Sequence, residues 1–185
     1  PLILNAAIKV FSKKGFEAAH MEDIAKAAKL SVGGVYWYYK GKDEIILAIM
    51  ERLIDRDVSD LRRLLAADGA VRARLEHYIA LSIAEAEQVL PITYELYALA
   101  LRNTRVRNHI RSFLHTYREV LEEFIQQGIE RGEFKQVDAR AAALTFAALY
   151  EGTLELTMLD PQNVDARQAL LAAMNLLMSG LENKG

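Results

Sequence analysis

Histidines, carboxylates, serines and tyrosines are the groups in this chain with chemistry to offer, and their spacing decides which chemistry is open. His20, His77, His109 and His115 never recur at the i, i+4 spacing by which one helix face presents two imidazoles to a metal. Glu17 and His20 form a Glu-x-x-His pair, but it occurs once and a di-iron bundle site needs two. There is no Gly-x-Ser-x-Gly nucleophile elbow and no phosphate-binding loop. The absence of cysteine removes thiol nucleophiles and a disulfide framework, and suits a reducing cytoplasm. These patterns predict a protein that is not an enzyme, with no metal site and no cofactor. A helical-bundle enzyme remains a competing class that a bound metal would expose.

The residues that remain suit binding. Met21 to Lys42, MEDIAKAAKLSVGGVYWYYKGK, reads as two short helices joined by a tight turn. Ile24, Ala25, Ala27 and Ala28 form the apolar stripe of the first. Glu22 and Asp23 occupy its first turn, where the helix dipole favours negative charge. Ser31 offers a hydroxyl to cap the second. Helices joined by so few residues cross steeply, as in a helix-turn-helix. Val35 and Tyr39, four apart, can face inward. Val32, Gly33, Gly34, Tyr36, Trp37 and Tyr38 are left to face a partner. The glycine pair is costly at a helix start, and close approach to another molecule would account for it.

These residues resemble the DNA-binding segment of TetR-family repressors. The resemblance runs from Ile3 to about Met50. It rests on Ala6-Ala7 through Phe11, then Lys14-Gly15-Phe16; on Ile24, Ala25 and Ala28; and on Tyr36, Tyr39 and Lys42 followed by Asp43, Glu44 and Ile45. Two positions depart from the pattern. Lys29 stands where the turn usually has glycine, which puts a side chain in a left-handed or strained turn. Ala19 and His20 replace the usual threonine or serine pair, so a hydroxyl contact to phosphate is either lost or supplied by His20. The resemblance implies an all-α protein: a three-helix DNA-binding head with a helix-turn-helix (residues 1–45) and a six-helix C-terminal body (residues 46–185) for ligand binding and dimerisation. It also implies a ligand-responsive repressor that a small molecule releases from a pseudo-palindromic operator on double-stranded DNA. The competing reading is a helical small-molecule or partner-binding protein that no longer reads DNA.

Charge sharpens the picture. The net charge is −2, but residues 1–50 carry seven lysines against five acids, and every arginine lies at Arg52 or later. A mildly basic head on an acidic body suits local phosphate contact. Lysine acts as a point charge, whereas arginine is the usual bidentate reader of guanine. Specificity is therefore expected from Lys29 and Lys40, from aromatic contact with thymine methyls, from DNA shape, or from an arm before Pro1. Lys42, at the start of a long helix, is expected to touch phosphate. Pro1 stands inside what reads as the first helix, which predicts that the natural chain begins upstream.

The elements behind these groups are helical throughout. Asp43–Ala66 carries an apolar stripe and ends at Asp68-Gly69. Val71–Leu90 is expected as one helix, with Pro91 opening the next at its first position. Asn103-Thr104 caps a helix over Val106–Ile129 that frays at Gly128 and Gly132. Asp138 caps Ala139–Leu159. Val164–Met178 is the last, stopped by Gly180. With 52% hydrophobic residues the chain is too apolar for disorder, and no run of about 18 apolar residues predicts a membrane span. Two groups in this body matter for function. Tyr78, Tyr94, Tyr97, Tyr117 and Tyr150 bring hydroxyls that need partners if buried, and His109, Phe113, Phe146 and Glu151 could join them around a ligand. Residues 141–159 and 169–178 are apolar nearly all round, so they are either buried in the body or form a homodimer interface. Ala143, Ala147, Leu154, Leu171, Met174, Leu177 and Met178 are the candidates.

Overall fold

The computed structural model describes residues 2–182, and the side chains of all of them except 84–88. The regular elements are α1 (Leu2–Lys14), α2 (Met21–Ala28), α3 (Val32–Tyr38), α4 (Lys42–Leu65), α5 (Val71–Arg102), α6 (Thr104–Glu130), α7 (Ala139–Leu159) and α8 (Ala166–Leu181). Among the described residues there is no strand, only an isolated antiparallel bridge between Phe134 and Glu182. No described helix is long and apolar enough to cross a membrane. The fold is all-α with a helix-turn-helix near its start, as the resemblance implies; Pro1 lies outside the described residues.

The chain forms two compact units: residues 1–55 with 88–110, and residues 56–87 with 111–185. The divisions fall inside α4, α5 and α6, so each of these helices contributes to both units.

In the first unit α1 packs on α2, and α2 on α3. Phe11, Phe16, Ile24, Val35, Ile45, Ile46 and Ile49 fill the core. The Phe11 and Phe16 rings meet at 5.2 Å. Ala27, placed on the apolar stripe from spacing, is instead exposed. The expected break at Pro91 does not occur, and α5 runs through it. Interior proline costs about 3 kcal/mol through a missing hydrogen bond and a steric conflict. Here its ring is exposed while Leu90, Ile92, Leu96 and Leu99 around it are buried, and their burial outweighs that cost.

In the second unit Arg74 is buried. Its Nη1 donates to the carbonyls of Leu64 (3.1 Å) and Leu65 (2.7 Å), closing the C-terminal end of α4, and Nη2 donates to Gln127. Gly128 is not a fraying point. A Cβ there would lie 2.2 Å from Cδ2 of Phe134, so glycine lets that buried ring press against α6. The turn follows at Gly132, with φ +73°. α8 starts two residues later than expected, where Asp165 accepts from Gln168 N at 2.6 Å. It continues through Gly180 to Leu181.

Candidate nucleic-acid interface and effector site

The helix-turn-helix is built from three local devices. Lys29 ends α2 in the left-handed region (φ 56°, ψ 39°). Its N–H donates to the Lys26 carbonyl (3.2 Å) and that of Leu30 to the Ala25 carbonyl (2.9 Å), a Schellman turn. A side chain in this conformation costs about 1–2 kcal/mol relative to glycine, and it leaves the Lys29 side chain exposed. Ser31 then starts α3, its Oγ accepting from Gly34 N at 3.0 Å. At the start of α2 the Asp23 carboxylate accepts from His20 N (3.1 Å) and from Lys14 Nζ (2.6 Å). The Lys14 hydrogen bond, then that of the His20 backbone, holds this carboxyl below the usual carboxylate range.

Val35 is fully buried beneath α3 and Tyr39 is half-buried, as their spacing predicts. Trp37 is 75% exposed, Tyr38 62% and Tyr36 42%. The Trp37 and Tyr38 rings meet edge to face at 4.6 Å. The two glycines separate. A Cβ on Gly34 would press on the Ser31 hydroxyl at 3.1 Å, an intrachain reason for glycine. A Cβ on Gly33 would meet nothing within 4 Å. Val32 is half-buried, while His20, Lys29, Ser31 and Lys40 are exposed around the same helix pair. Ala19 is fully buried, so a hydroxyl in its place would not face solvent.

Lys42 departs from expectation. Its ammonium donates to the carbonyls of Phe16 (2.6 Å) and Glu17 (3.0 Å) and lies 4.8 Å from the centre of the Phe16 ring. These bonds satisfy the loop after α1, so Lys42 is a structural tie rather than a free phosphate contact. Sequence reasoning also missed Arg102, which pairs with Glu17 at 2.9 Å across 85 residues.

The aromatic candidates divide between the units. Tyr94, Tyr97 and His109 belong to the first. There the Tyr94 and Tyr97 rings meet at 6.0 Å, and His109 Nδ1 lies 3.7 Å from Glu51. Tyr78, Phe113, Tyr117, Phe146, Tyr150 and Glu151 belong to the second. Within it the Tyr78 ring lies 6.2 Å from Tyr117 and 6.4 Å from Tyr150, and Phe113 lies 5.8 Å from Tyr117. Phe146 and Tyr150 border an apolar crevice with Ile79, Leu170 and Met174. The Tyr78 hydroxyl donates to Asp57 (2.9 and 3.1 Å), a partner from α4 that spacing did not reveal. The Tyr117 hydroxyl is buried, and the one group near enough to share a hydrogen with it is the Tyr78 hydroxyl, whose own hydrogen goes to Asp57 without good geometry left for Tyr117. Burial first, then the charge of Asp57, raises its pKa well above the usual tyrosine value, with Tyr150 and Glu151 adding to the shift and the neighbouring Tyr78 hydroxyl opposing it. Both phenols are therefore neutral donors close to carboxylates. Glu151 is half-buried and Glu155 exposed.

The predicted interface residues need a correction. Ala143, Ala147, Leu154, Met174 and Met178 are buried within their own chain, and Leu171 and Leu177 are half-buried. The apolar surface of α7 and α8 lies on other positions: Leu144, Leu149, Leu156, Leu159 and Leu176, the last 78% exposed. A helix apolar all round gives no phase by which sequence could tell the two faces apart.

Comparison with known proteins places this geometry. The family described as bacterial regulatory proteins of the tetR family matches residues 3–49. The C-terminal family of BetI-type transcriptional repressors matches residues 68–182. The chain is 26% identical to the fatty acid metabolism regulator protein of Bacillus subtilis over 98% of its own length and 95% of the relative's. Among solved structures, the regulator FadR of Bacillus subtilis in complex with stearoyl-CoA is similar with a TM-score of 0.81 at 23% identity, covering 97% of each chain. A candidate regulator from Saccharomonospora viridis in complex with choline is similar with a TM-score of 0.89 at 16% identity, covering 99% of this chain and 97% of that one.

Proposed function

The chain belongs to the TetR family of bacterial DNA-binding transcriptional regulators, and from that premise we propose a homodimeric repressor, acting in the cytoplasm, that leaves a pseudo-palindromic operator when a small cationic effector binds in the second unit. The carrying observation is the buried hydroxyl of Tyr117, which has no well-aligned hydrogen bond and meets only the Tyr78 hydroxyl of the Tyr78–Asp57 pair. An unsatisfied buried hydroxyl costs about 1–3 kcal/mol, and a ligand acceptor would relieve that cost. The cluster of mutually tilted tyrosine rings and the nearby carboxylates together favour a cation with a hydrogen-bonding group. The choline-bound neighbour fits this chemistry better than the acyl-CoA-bound one, because the cluster brings carboxylates rather than a cationic clamp for phosphates.

DNA binding by the first unit follows from the exposed face of α3 and the lysines beside it. Pairing through the exposed leucines of α7 and α8 gives the two-fold symmetry that a palindromic operator requires. A reader that had lost DNA binding would have no reason to keep Trp37 and Tyr38 in water. The test is in-vitro selection of operator duplexes, then titration of the complex with choline, longer alkylammonium ions and acyl-CoA. Release by an ammonium ion, weakened in Tyr117→Phe, supports the reading. Release by acyl-CoA alone overturns the cationic effector, and failure to enrich any duplex overturns the repressor.

A further inference from the structure

The chemistry carried by the helix-turn-helix limits which base it can read. Guanine is read by arginine or lysine, adenine by asparagine or glutamine, and cytosine by a carboxylate. The lysines of this helix pair, Lys26, Lys29, Lys40 and Lys42, all lie off α3. From His20 to Ile45 there is no arginine, asparagine or glutamine. Of the four carboxylates in this stretch, Asp23 is bound by Lys14 and His20, Glu44 accepts from Lys40 N at 2.7 Å, and Glu22 and Asp43 sit in the first turns of α2 and α4 rather than on α3. The Ser31 hydroxyl is committed to its cap. What α3 does present is aromatic surface, with Trp37 at its peak. The edge contact with Tyr38 favours one orientation of the indole, which reduces the side-chain freedom lost on docking. Gly33, with open space where a side chain would be, lets the helix approach closely.

The major groove displays one apolar group, the C5 methyl of thymine. We propose that Trp37 is the specificity-determining residue of this regulator and that it reads a thymine methyl in each half-site, giving an operator weighted toward A·T at that position. The inference rests on the DNA-binding reading above and adds the base it recognises. The exposed Lys29 and Lys40 hold the backbone on either side without discriminating among sequences.

Deoxyuridine pairs like thymidine but lacks the methyl, so it isolates the contact. Duplexes from the selected operator are made with each thymine replaced singly by deoxyuridine, and affinities are read by fluorescence anisotropy at fixed salt. Burying one methyl predicts about a fourfold loss at one thymine per half-site, and about tenfold or more when both half-sites are changed. Replacing guanines by 7-deazaguanine should change affinity less than about twofold, since no bidentate guanine contact is made. In Trp37→Ala the two thymine forms should bind equally, while Trp37→Phe should keep part of the difference. Circular dichroism and melting of free Trp37→Ala should match the parent, because the ring has no core role. Tolerance of deoxyuridine at every thymine, or a deoxyuridine effect that persists in Trp37→Ala, overturns the assignment while leaving a working repressor. If no duplex is enriched, the DNA-binding reading itself has failed.

Discussion

Replacing Tyr117 by phenylalanine should make the free protein more stable and its effector response weaker. Tyr117 is 3% exposed, and its hydroxyl makes no well-aligned hydrogen bond, with only the Tyr78 hydroxyl close by. Phenylalanine keeps the ring and its contacts with Tyr78 and Phe113 but removes the unsatisfied group. The gain should be about 1–2 kcal/mol, or roughly 2–8 °C in Tm for a chain of this size. Tyr78→Phe is the control with the same atom removed and the opposite sign expected. Its hydroxyl donates to the Asp57 carboxylate, and hydrogen bonds to charged groups contribute about 1.5–3 kcal/mol. Thermal melts of both variants, with and without choline, read the two effects together. At an effector concentration 100 times Kd the parent gains about 2.7 kcal/mol, and a tenfold weaker variant only about 1.4 kcal/mol. If Tyr117→Phe melts below the parent without ligand, the hydroxyl has a partner and the reasoning fails.

Leu176→Arg should leave a folded chain that sediments as a monomer and loses operator binding, whereas Leu154→Arg should unfold it, because one residue is exposed and the other buried; a folded dimeric Leu176→Arg would refute the interface. Gly128→Ala, which in an open helix gains about 1 kcal/mol, should here cost about 1–3 kcal/mol in urea unfolding because the new Cβ meets the Phe134 ring. The Asp23 carboxyl titrates below its ordinary 3.8. Its contribution to stability is therefore present above that value and lost as pH falls through the lowered pKa. Asp23→Asn should flatten the acid limb of the stability curve, and Lys14→Met should shift that limb toward the ordinary value.

The head was legible because local rules govern it. The cap at Ser31, the left-handed Lys29 and the outward aromatics of α3 each follow from residues within a few positions of one another. The rest depends on distance in sequence. Asp57 meets Tyr78, Arg102 meets Glu17 and Phe134 meets Gly128 through packing that no period records. Pro91 and Gly180 were read as breaks from intrinsic preference, and burial of neighbouring side chains overrode it. Lys42 carries the residue type expected at a phosphate contact, but the nearby carbonyls of Phe16 and Glu17 claim its ammonium. Along α7 and α8 the apolar content was visible while the inward face was not.

The discontinuity of the first unit bears on how such regulators can be recombined. Its packing takes in residues 88–110 as well as 1–55. Pro91, Ile92 and Glu95 line a cavity of about 110 Å³ whose other walls are Phe11, Ser12, Gly15, Phe16 and Ile46. A chimera that grafts only the first 45 or 55 residues onto another body would sever this unit, leaving Phe11 and Ile46 against side chains they were not selected with. A graft that also carries residues 88–110 would transplant the whole packed object. The heritable module is thus two stretches of one chain, and exchange between relatives should succeed by paired replacement where a single crossover fails.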